Sequence, residues 1–295
     1  MSTAELSLNS VLRDCEKRLA QAGIESARHD SEVLVSFVLD AERSAIRTWL
    51  ALDVSLTQEQ VDAVLVLVDR RAQRVPLQHI TGTAAFATIE LSVGPGVFTP
   101  RPESELLVER ANAHLRELVD PLVVDLCSGS GAIGLAIAQM NPTARVELVE
   151  LDDDAYLWLQ KNVELLNLGS RVRAHHADAV LALPELESAV DVVVCNPPYV
   201  PLGATIRDRE VLDFDPPLAL WGGSDGLEVI RGIQANAARL LKPGGLVVIE
   251  HADVQGESLP LLLASARNAS GAAWSQIMDH RDFNDRPRYT TAVAS

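Results

Sequence analysis

The feature that most constrains this chain is an alternation of buried strands and amphipathic helices between about residues 122 and 250. Residues 123–126 (Val-Val-Asp-Leu) read as a buried strand, 132–140 as a helix, 146–149 as a strand and 155–166 as a helix. A strand at 190–194, a helix at 227–241 and, after the turn Lys242-Pro243-Gly244-Gly245, a strand at 246–249 continue the pattern. Strands separated by helices of this length pair in parallel, because a parallel pair needs a long crossover. The expected fold is therefore a doubly wound α/β domain with ligands at the carboxyl ends of its strands.

Residues 8–74 follow a different period. Val11, Leu12, Cys15 and Leu19, then Val33, Leu34, Phe37 and Val38, then Val61, Val64, Leu65 and Val68 recur at helical spacing, and Thr57 with Gln60 resembles a capping box. Pro76 is expected to end this helical domain, since proline disfavours helix at the residue before it. Residues 77–98, with Ile89, Leu91 and Val93 alternating before Gly94-Pro95-Gly96, read as a hairpin between domains. The resulting division is a helical domain at 1–75, a β-hairpin linker at 76–92 and an α/β domain at 93–295.

Charge narrows the partners. The 295 residues carry a formal charge of −16, split as −3 over residues 1–75 and −13 over the remainder. Such a chain does not coat nucleic acid by bulk electrostatics and would tolerate a cationic ligand or partner. Cys15, Cys127 and Cys195 are three, widely spaced and without a CxxC pair, which suggests neither a disulfide framework nor a zinc site and fits a reducing cytoplasm. The N-terminal residues show no leader pattern, and no uncharged apolar run is long enough to span a membrane. No metal site is expected.

Between the first strand and its helix lies Asp125-Leu126-Cys127-Ser128-Gly129-Ser130-Gly131-Ala132-Ile133-Gly134. Gly129, Gly131 and Gly134 form a literal GxGxxG, a pattern that brings backbone close to a ligand at a helix N-terminus. Glu150, at the end of the second strand, can accept hydrogen bonds from ribose hydroxyls, as NAD and S-adenosylmethionine both require. Asp125 separates the two readings. An anion four residues before the first glycine opposes a pyrophosphate but suits the ammonium or sulfonium of S-adenosylmethionine. Asp178, after the third strand, either accepts from an adenine amino group or caps its loop. The run Asp152-Asp153-Asp154 reads as a helix cap.

The fourth strand ends in Asn196-Pro197-Pro198-Tyr199. An amide or exocyclic amine is a poor nucleophile because its lone pair is delocalised into the adjacent π system. The Asn196 side-chain oxygen and the Pro197 carbonyl can accept both N–H groups of such an NH2 and leave its lone pair facing a methyl donor. Tandem prolines stiffen the backbone, and Tyr199 can cover the planar group. Positioning and polarisation then lower the barrier without a strong base.

At these residues the chain resembles the HemK/PrmC family, the N5-glutamine methyltransferases of class I peptide chain release factors. Arg74 to Gly82 is similar to that family's interdomain segment, and Phe98-Thr99-Pro100-Arg101-Pro102-Glu103-Ser104-Glu105 to its PRPETE-type signature. Asp215-Pro216, Gly223 to Leu227, Glu250-His251 with Gln255, and Asp282 to Arg288 match later blocks. The resemblance implies a class I, Rossmann-like methyltransferase domain behind a small helical domain that recognises substrate. The reaction implied is methylation of the glutamine side chain in the Gly-Gly-Gln loop of a release factor, with effect on translation termination.

Asn196, Pro197, Pro198 and Tyr199 would hold the amide, with Asn196, Pro197 and Tyr199 as the catalytic group. The cofactor set implied is Asp125, Cys127, Gly129, Gly131, Glu150 and Asp178, with Asn196 at its far end. Thr99 and Pro100 would border the cofactor and Arg101 the substrate; the alternative for this stretch is a helix start with Pro102 in the first turn. Two positions depart from the family. Asp215 stands where glutamate is usual, and Cys127-Ser128-Gly129 replaces Gly-Thr-Gly, losing one glycine. Cys127 itself reads as small packing rather than a nucleophile.

Three alternatives remain at this level. An adenine methyltransferase would present a similar NH2, but the acidic catalytic half and the lack of a Lys-rich domain count against it. Arg70, Arg71 and Arg74 read as a solvated helix end. A ribosomal-protein glutamine methyltransferase also has a helical front domain, though Pro100 to Glu105 looks more like the release-factor enzymes. An NAD(P)-dependent oxidoreductase leaves Asn196 to Tyr199 unexplained. A monomer is expected.

Overall fold

The computed structural model describes residues 6–206, 208–268 and 271–295. The first five residues, on which the expected absence of a leader partly rests, lie outside that set. Contacts divide the chain between Gly82 and Thr83, with the helix Arg209–Phe214 grouped with the N-terminal unit.

In the N-terminal unit, helices Leu8–Gln21, Ala27–Val38, Arg43–Ala51 and Gln58–Ala72 surround a core that includes Leu12, Leu19, Leu34, Ile46, Val64 and Val68. Two-residue strands β1 (Leu6–Ser7) and β2 (Ser55–Leu56) pair antiparallel beside them. The capping box forms as expected, with Gln60 Oε1 accepting from the Thr57 N–H at 3.0 Å and Thr57 Oγ1 from the Gln60 N–H at 3.3 Å. Phe37 departs from the expected core: it is 50% exposed, and Asp30, Ser31 and Val35 take the buried face of its helix.

The buried acid also changes the reading of the arginine cluster. Arg71 is buried and pairs with Asp30 at 2.7 Å and Glu210 at 2.9 Å. Arg74 donates to the Gly23 carbonyl at 2.7 Å. Arg71 is thus a structural countercharge rather than part of a solvated helix end, because a buried carboxylate needs a partner, and Arg74 is tied back by its carbonyl bond, whereas Arg70 is exposed as that reading had it. Pro76 does not finish the helical part either; it precedes the short helix Leu77–Thr81, which stops at the left-handed Gly82. The hairpin is correspondingly shorter than residues 77–98, running from β3 (Thr83–Phe86) to β4 (Ile89–Ser92).

The second unit is built on a seven-stranded sheet. Its members are β5 (Leu122–Leu126), β6 (Arg145–Glu150), β7 (Val172–His176), β8 (Val190–Cys195) and β9 (Leu241–Glu250). After the small pair β10 (Arg267–Asn268) and β11 (Gly271–Ala272) come β12 (Trp274–Arg281) and β13 (Pro287–Ala294). The order is β12-β13-β9-β8-β5-β6-β7, parallel except for the antiparallel pairings of β13. The expected turn at 242–245 lies inside β9, where the register to β8 slips between Val190 and Val192.

Alternate residues of β5 enter opposite cores: Leu122, Val124 and Leu126 pack on one face and Val123 on the other. The helix Ala132–Met140 covers the Val123 face, and its Gly134 allows the close approach. A β-carbon there would lie 2.2 Å from Leu148 Cδ2 and 3.0 Å from Asp125 Cβ. The chain runs from β5 outward through β6 and β7, then returns to β8 on the other side of β5. A crevice therefore opens between the carboxyl ends of β5 and β8, the position where open α/β sheets bind ligands. Gly134→Ala is expected to cost about 1–3 kcal/mol by forcing the helix off the sheet. A urea denaturation midpoint equal to that of the parent would contradict this packing role.

Candidate active site

Asp125 is the penultimate residue of β5 and only 1% exposed. Its Oδ2 accepts from the Gly134 N–H at 2.9 Å, while Oδ1 is buried with no partner among the described residues. Burial pushes its pKa up to about 7; the Gly134 bond opposes the shift and the Glu150 charge adds to it.

The following loop is tied down from below. Ser128 donates its N–H to the Val149 carbonyl at 2.9 Å, and its hydroxyl accepts from the Val149 N–H at 2.9 Å. Asn162, fully buried, donates to the carbonyls of Ser130 at 2.9 Å and Ser92 at 3.0 Å. The loop passes through left-handed backbone at Cys127 (φ 60°), Gly129 (φ 55°) and Gly131 (φ 86°). Where glycine is usual, Cys127 thus places a β-carbon in a region that disfavours one by roughly 1–2 kcal/mol. Its side chain packs partly buried against the core that contains Leu126, Val149 and Cys195.

Glu150 ends β6 facing this loop. Its Oε2 accepts from the Gly129 N–H at 2.7 Å, and Oε1 from the N–H groups of Leu151 and Asp152 at 2.8 Å each. Burial still raises its pKa against these three bonds. Asp178, exposed after β7, accepts from the Val180 N–H at 2.9 Å, so its loop-capping role is present. Asp152 caps the helix Asp153–Leu165 through the Asp154 and Ala155 N–H groups, as expected.

The loop fits a cationic donor such as S-adenosylmethionine. Among the described residues a buried carboxylate oxygen lacks a partner, and a β-carbon built on Gly129 would meet nothing within 4 Å. The groups at the strand ends are acceptors, which suit an ammonium, ribose hydroxyls and an exocyclic amine and would repel a pyrophosphate.

Across the crevice, Asn196 follows β8 directly. Its Nδ2 donates to Ser104 Oγ at 3.1 Å, Ser104 donates to Glu250 Oε2 at 2.6 Å, and Tyr199 donates to Glu250 Oε1 at 3.2 Å. Glu250 is 2% exposed, and burial pushes its pKa up to about 7 against the opposing effects of Ser104, Arg288 and Tyr199. Burial and the neighbouring carboxylate also raise the Tyr199 phenol well above its ordinary value. Pro197 and Pro198 are buried. The stretch behind them leaves no room for side chains: a β-carbon on Gly222 would lie 2.5 Å from the Pro198 carbonyl oxygen, and one on Gly226 2.3 Å from that of Tyr199. Gln255 Nε2 donates to the same Tyr199 carbonyl at 3.1 Å.

Residues 98–104 show the helix-start geometry. Pro102 opens the 3-10 turn Pro102–Ser104, which leads into the helix Glu105–Leu115. Thr99 is buried and Pro100 half-buried. Arg101 lies over the Phe98 ring at 5.2 Å and pairs with Asp215 at 2.8 Å. Asp215, for which the sequence suggested no role, is therefore the buried anchor of Arg101. Asp125, Cys127, Gly129, Gly131 and Glu150 gather at the β5–β6 end, and Asn196 to Tyr199 at the β8 end. Sequence reasoning missed Ser104 and gave Glu250 no role. The rule that singled out Glu150, an acid closing a parallel strand, applies equally to Glu250 at the end of β9.

Residues 10–82 match the PrmC N-terminal domain, and residues 89–209 the methyltransferase small domain. A release factor glutamine methyltransferase of Streptomyces coelicolor is 46% identical over 94% of both chains. One from Mycolicibacterium smegmatis is 41% identical over 97% of both. The chain belongs to the release factor glutamine methyltransferase family. A 4-amino-L-phenylalanine/4-methylamino-L-phenylalanine methyltransferase of Streptomyces pristinaespiralis is 37% identical over 97% of this chain and 95% of its own. Among solved structures, the T. thermophilus 16S rRNA N2 G1207 methyltransferase, in complex with AdoMet and guanosine, aligns with a TM-score of 0.50 at 27% identity over 72% of this chain and 50% of its own.

This methyltransferase takes its methyl group from S-adenosylmethionine, and a buried acid holding the ammonium of that cation would make its binding pH-dependent. With its pKa near 7, Asp125 is largely protonated at about pH 6 and would have to ionise to meet an ammonium. Calorimetry at about pH 6 in buffers of different ionisation enthalpy is expected to show release of close to one proton per bound S-adenosylmethionine, turning to net uptake near pH 8.5, where the free α-amino group is largely neutral and must be protonated to bind as an ammonium. Proton uptake at about pH 6 would contradict the assignment of Asp125.

Proposed function

We propose that this enzyme transfers a methyl group from S-adenosylmethionine to the side-chain nitrogen of the glutamine in the Gly-Gly-Gln loop of class I release factors. The carrying observation is the Asn196-to-Tyr199 turn at the switch point, with the Asn196 amino group already committed to Ser104. That bond leaves the Asn196 carbonyl oxygen, together with the Pro197 carbonyl, to accept the two N–H groups of the acceptor amide. When bound, the cofactor supplies an electrophilic methyl group. Asp125 would hold its ammonium, Glu150 its ribose and Asp178 its adenine amine, along the Cys127–Gly131 loop. Thr99 and Pro100 would border the donor, and Arg101, fixed by Asp215, the acceptor segment. Pro198 and Tyr199 would cover the amide and exclude water. Once the nitrogen carries the methyl group it becomes acidic and can lose its proton to water.

The sheet-side excess of acid suits a basic protein partner better than a nucleic acid. The helical unit would recognise the release factor away from its reacting loop, with 76–92 as the connecting segment and 93–295 as the catalytic domain. The three widely spaced cysteines suit a reducing compartment, and we place the enzyme in the cytoplasm as a monomer.

Incubation with labelled S-adenosylmethionine and purified release factors is expected to label the native proteins and to fail where the loop glutamine is changed to alanine. Equal labelling of both would reject that glutamine. Label transferred instead to an adenine-containing nucleic acid or to 4-amino-L-phenylalanine would favour a different NH2 acceptor. Asn196→Ala is expected to lower turnover by about 100-fold or more while sparing cofactor binding, in line with loss of a positioned polar group. Unchanged turnover would overturn the mechanism.

A further inference from the structure

Asparagine can present either its oxygen or its amino group to a ligand, and only neighbours decide which. Ser104 and Glu250 make that decision by donor and acceptor accounting. Glu250 uses Oε2 to accept the Ser104 hydroxyl proton at 2.6 Å, a length typical of a charge-assisted bond, and Oε1 to accept the Tyr199 hydroxyl. Having given its one proton away, Ser104 Oγ can only accept, so the Asn196 amide must turn its Nδ2 toward Ser104 at 3.1 Å. The Asn196 oxygen is then the atom left for the acceptor, and it makes no hydrogen bond among the described residues. Ser104 and Glu250 are each at most 3% exposed, so water does not substitute for either.

We propose that Glu250, acting through Ser104, is the positioning residue that aims the Asn196 carbonyl oxygen at the acceptor nitrogen. The inference rests on the reading of Asn196 as the acceptor-holding group and adds to it the device that orients the amide. A carboxylate in this place has two acceptors and no proton to give. Once protonated it becomes a donor on one side, which frees the Ser104 hydroxyl to donate to Asn196 and lets the amide turn over. Its amino group would then face the acceptor NH2, donor against donor. The groups that face Glu250 are Arg288 from β13, which favours the carboxylate, Glu103 from the turn before the Glu105–Leu115 helix, which opposes it, the Cys195 thiol from β8, and Tyr199 on the side of the Asn-Pro-Pro-Tyr turn. Burial outweighs Arg288 and leaves the acid titrating near pH 7.

The test is kcat against pH at saturating donor and acceptor, where Asp125 is already ionised by the bound cation and does not contribute a limb. The parent is expected to gain activity as pH rises through about 7, and Glu250→Gln, neutral like the protonated acid, to be low and without that limb. Ser104→Ala is expected to lower kcat by about tenfold or more with unchanged S-adenosylmethionine affinity, and Ser104→Thr, which keeps the hydroxyl, to restore most of the loss. An acid limb that persists in Glu250→Gln, or a Ser104→Ala kcat within about twofold of the parent, overturns the proposal. If Ser104→Ala loses cofactor binding through misfolding, the Glu250→Gln profile still decides. Inactive Asn196→Ala alongside a normal Ser104→Ala removes this inference alone, whereas an active Asn196→Ala removes the reading of Asn196 beneath it.

Discussion

The hydrogen bond from the Gly134 N–H to Asp125 holds the helix Ala132–Met140 against β5 and leaves one carboxylate oxygen buried without a partner among the described residues. Both consequences matter. The close approach requires a residue without a side chain at 134, and the lone oxygen, once ionised, is electrostatically costly without a cation beside it. Ser128, Asn162 and Glu150 then fix the loop through backbone groups, so the cradle is held by the end of β6 and by the helix Asp153–Leu165. A site of this kind stores unfavourable desolvation in the free enzyme and returns it on binding.

The second half of the site depends on a strand that returns to the other side of β5. Because β8 lies beside β5, the turn after it faces the glycine loop across the switch point. The same sheet order brings β9 next to β8, and so Glu250 beneath Asn196 and Tyr199. Acceptors dominate both sides of the crevice. That arrangement suits a reaction between a cationic methyl donor and a neutral NH2 group.

Much of this was legible in the sequence. The strand and helix alternation named the fold, and the helix at 132–140 matches its observed bounds because its glycines and apolar run mark both ends. Glu150 and Asn196 could be placed at strand ends from local pattern alone. The arginine cluster could not, because the partner of Arg71 from outside the first 82 residues, Glu210, is more than a hundred positions away and Asp30 is buried on another helix. Ser104 was hidden for a similar reason. Its bonds to Asn196 and Glu250 span 92 and 146 positions, and nothing near it in sequence marks it as more than a helix-start serine. Asp215 had no visible role until Arg101 was found beside it. Long-range polar pairing leaves little periodic trace, whereas apolar faces do.

The central claim is that the unpartnered oxygen of Asp125 receives the donor's ammonium. Asp125→Asn tests it most directly, since the amide keeps an oxygen for the Gly134 N–H and presents an amino group where the carboxylate oxygen was. Titration calorimetry at about pH 8 is expected to show S-adenosylmethionine affinity lowered by about 10–100-fold, as for loss of a charge-assisted hydrogen bond. An affinity equal to that of the parent would contradict the claim.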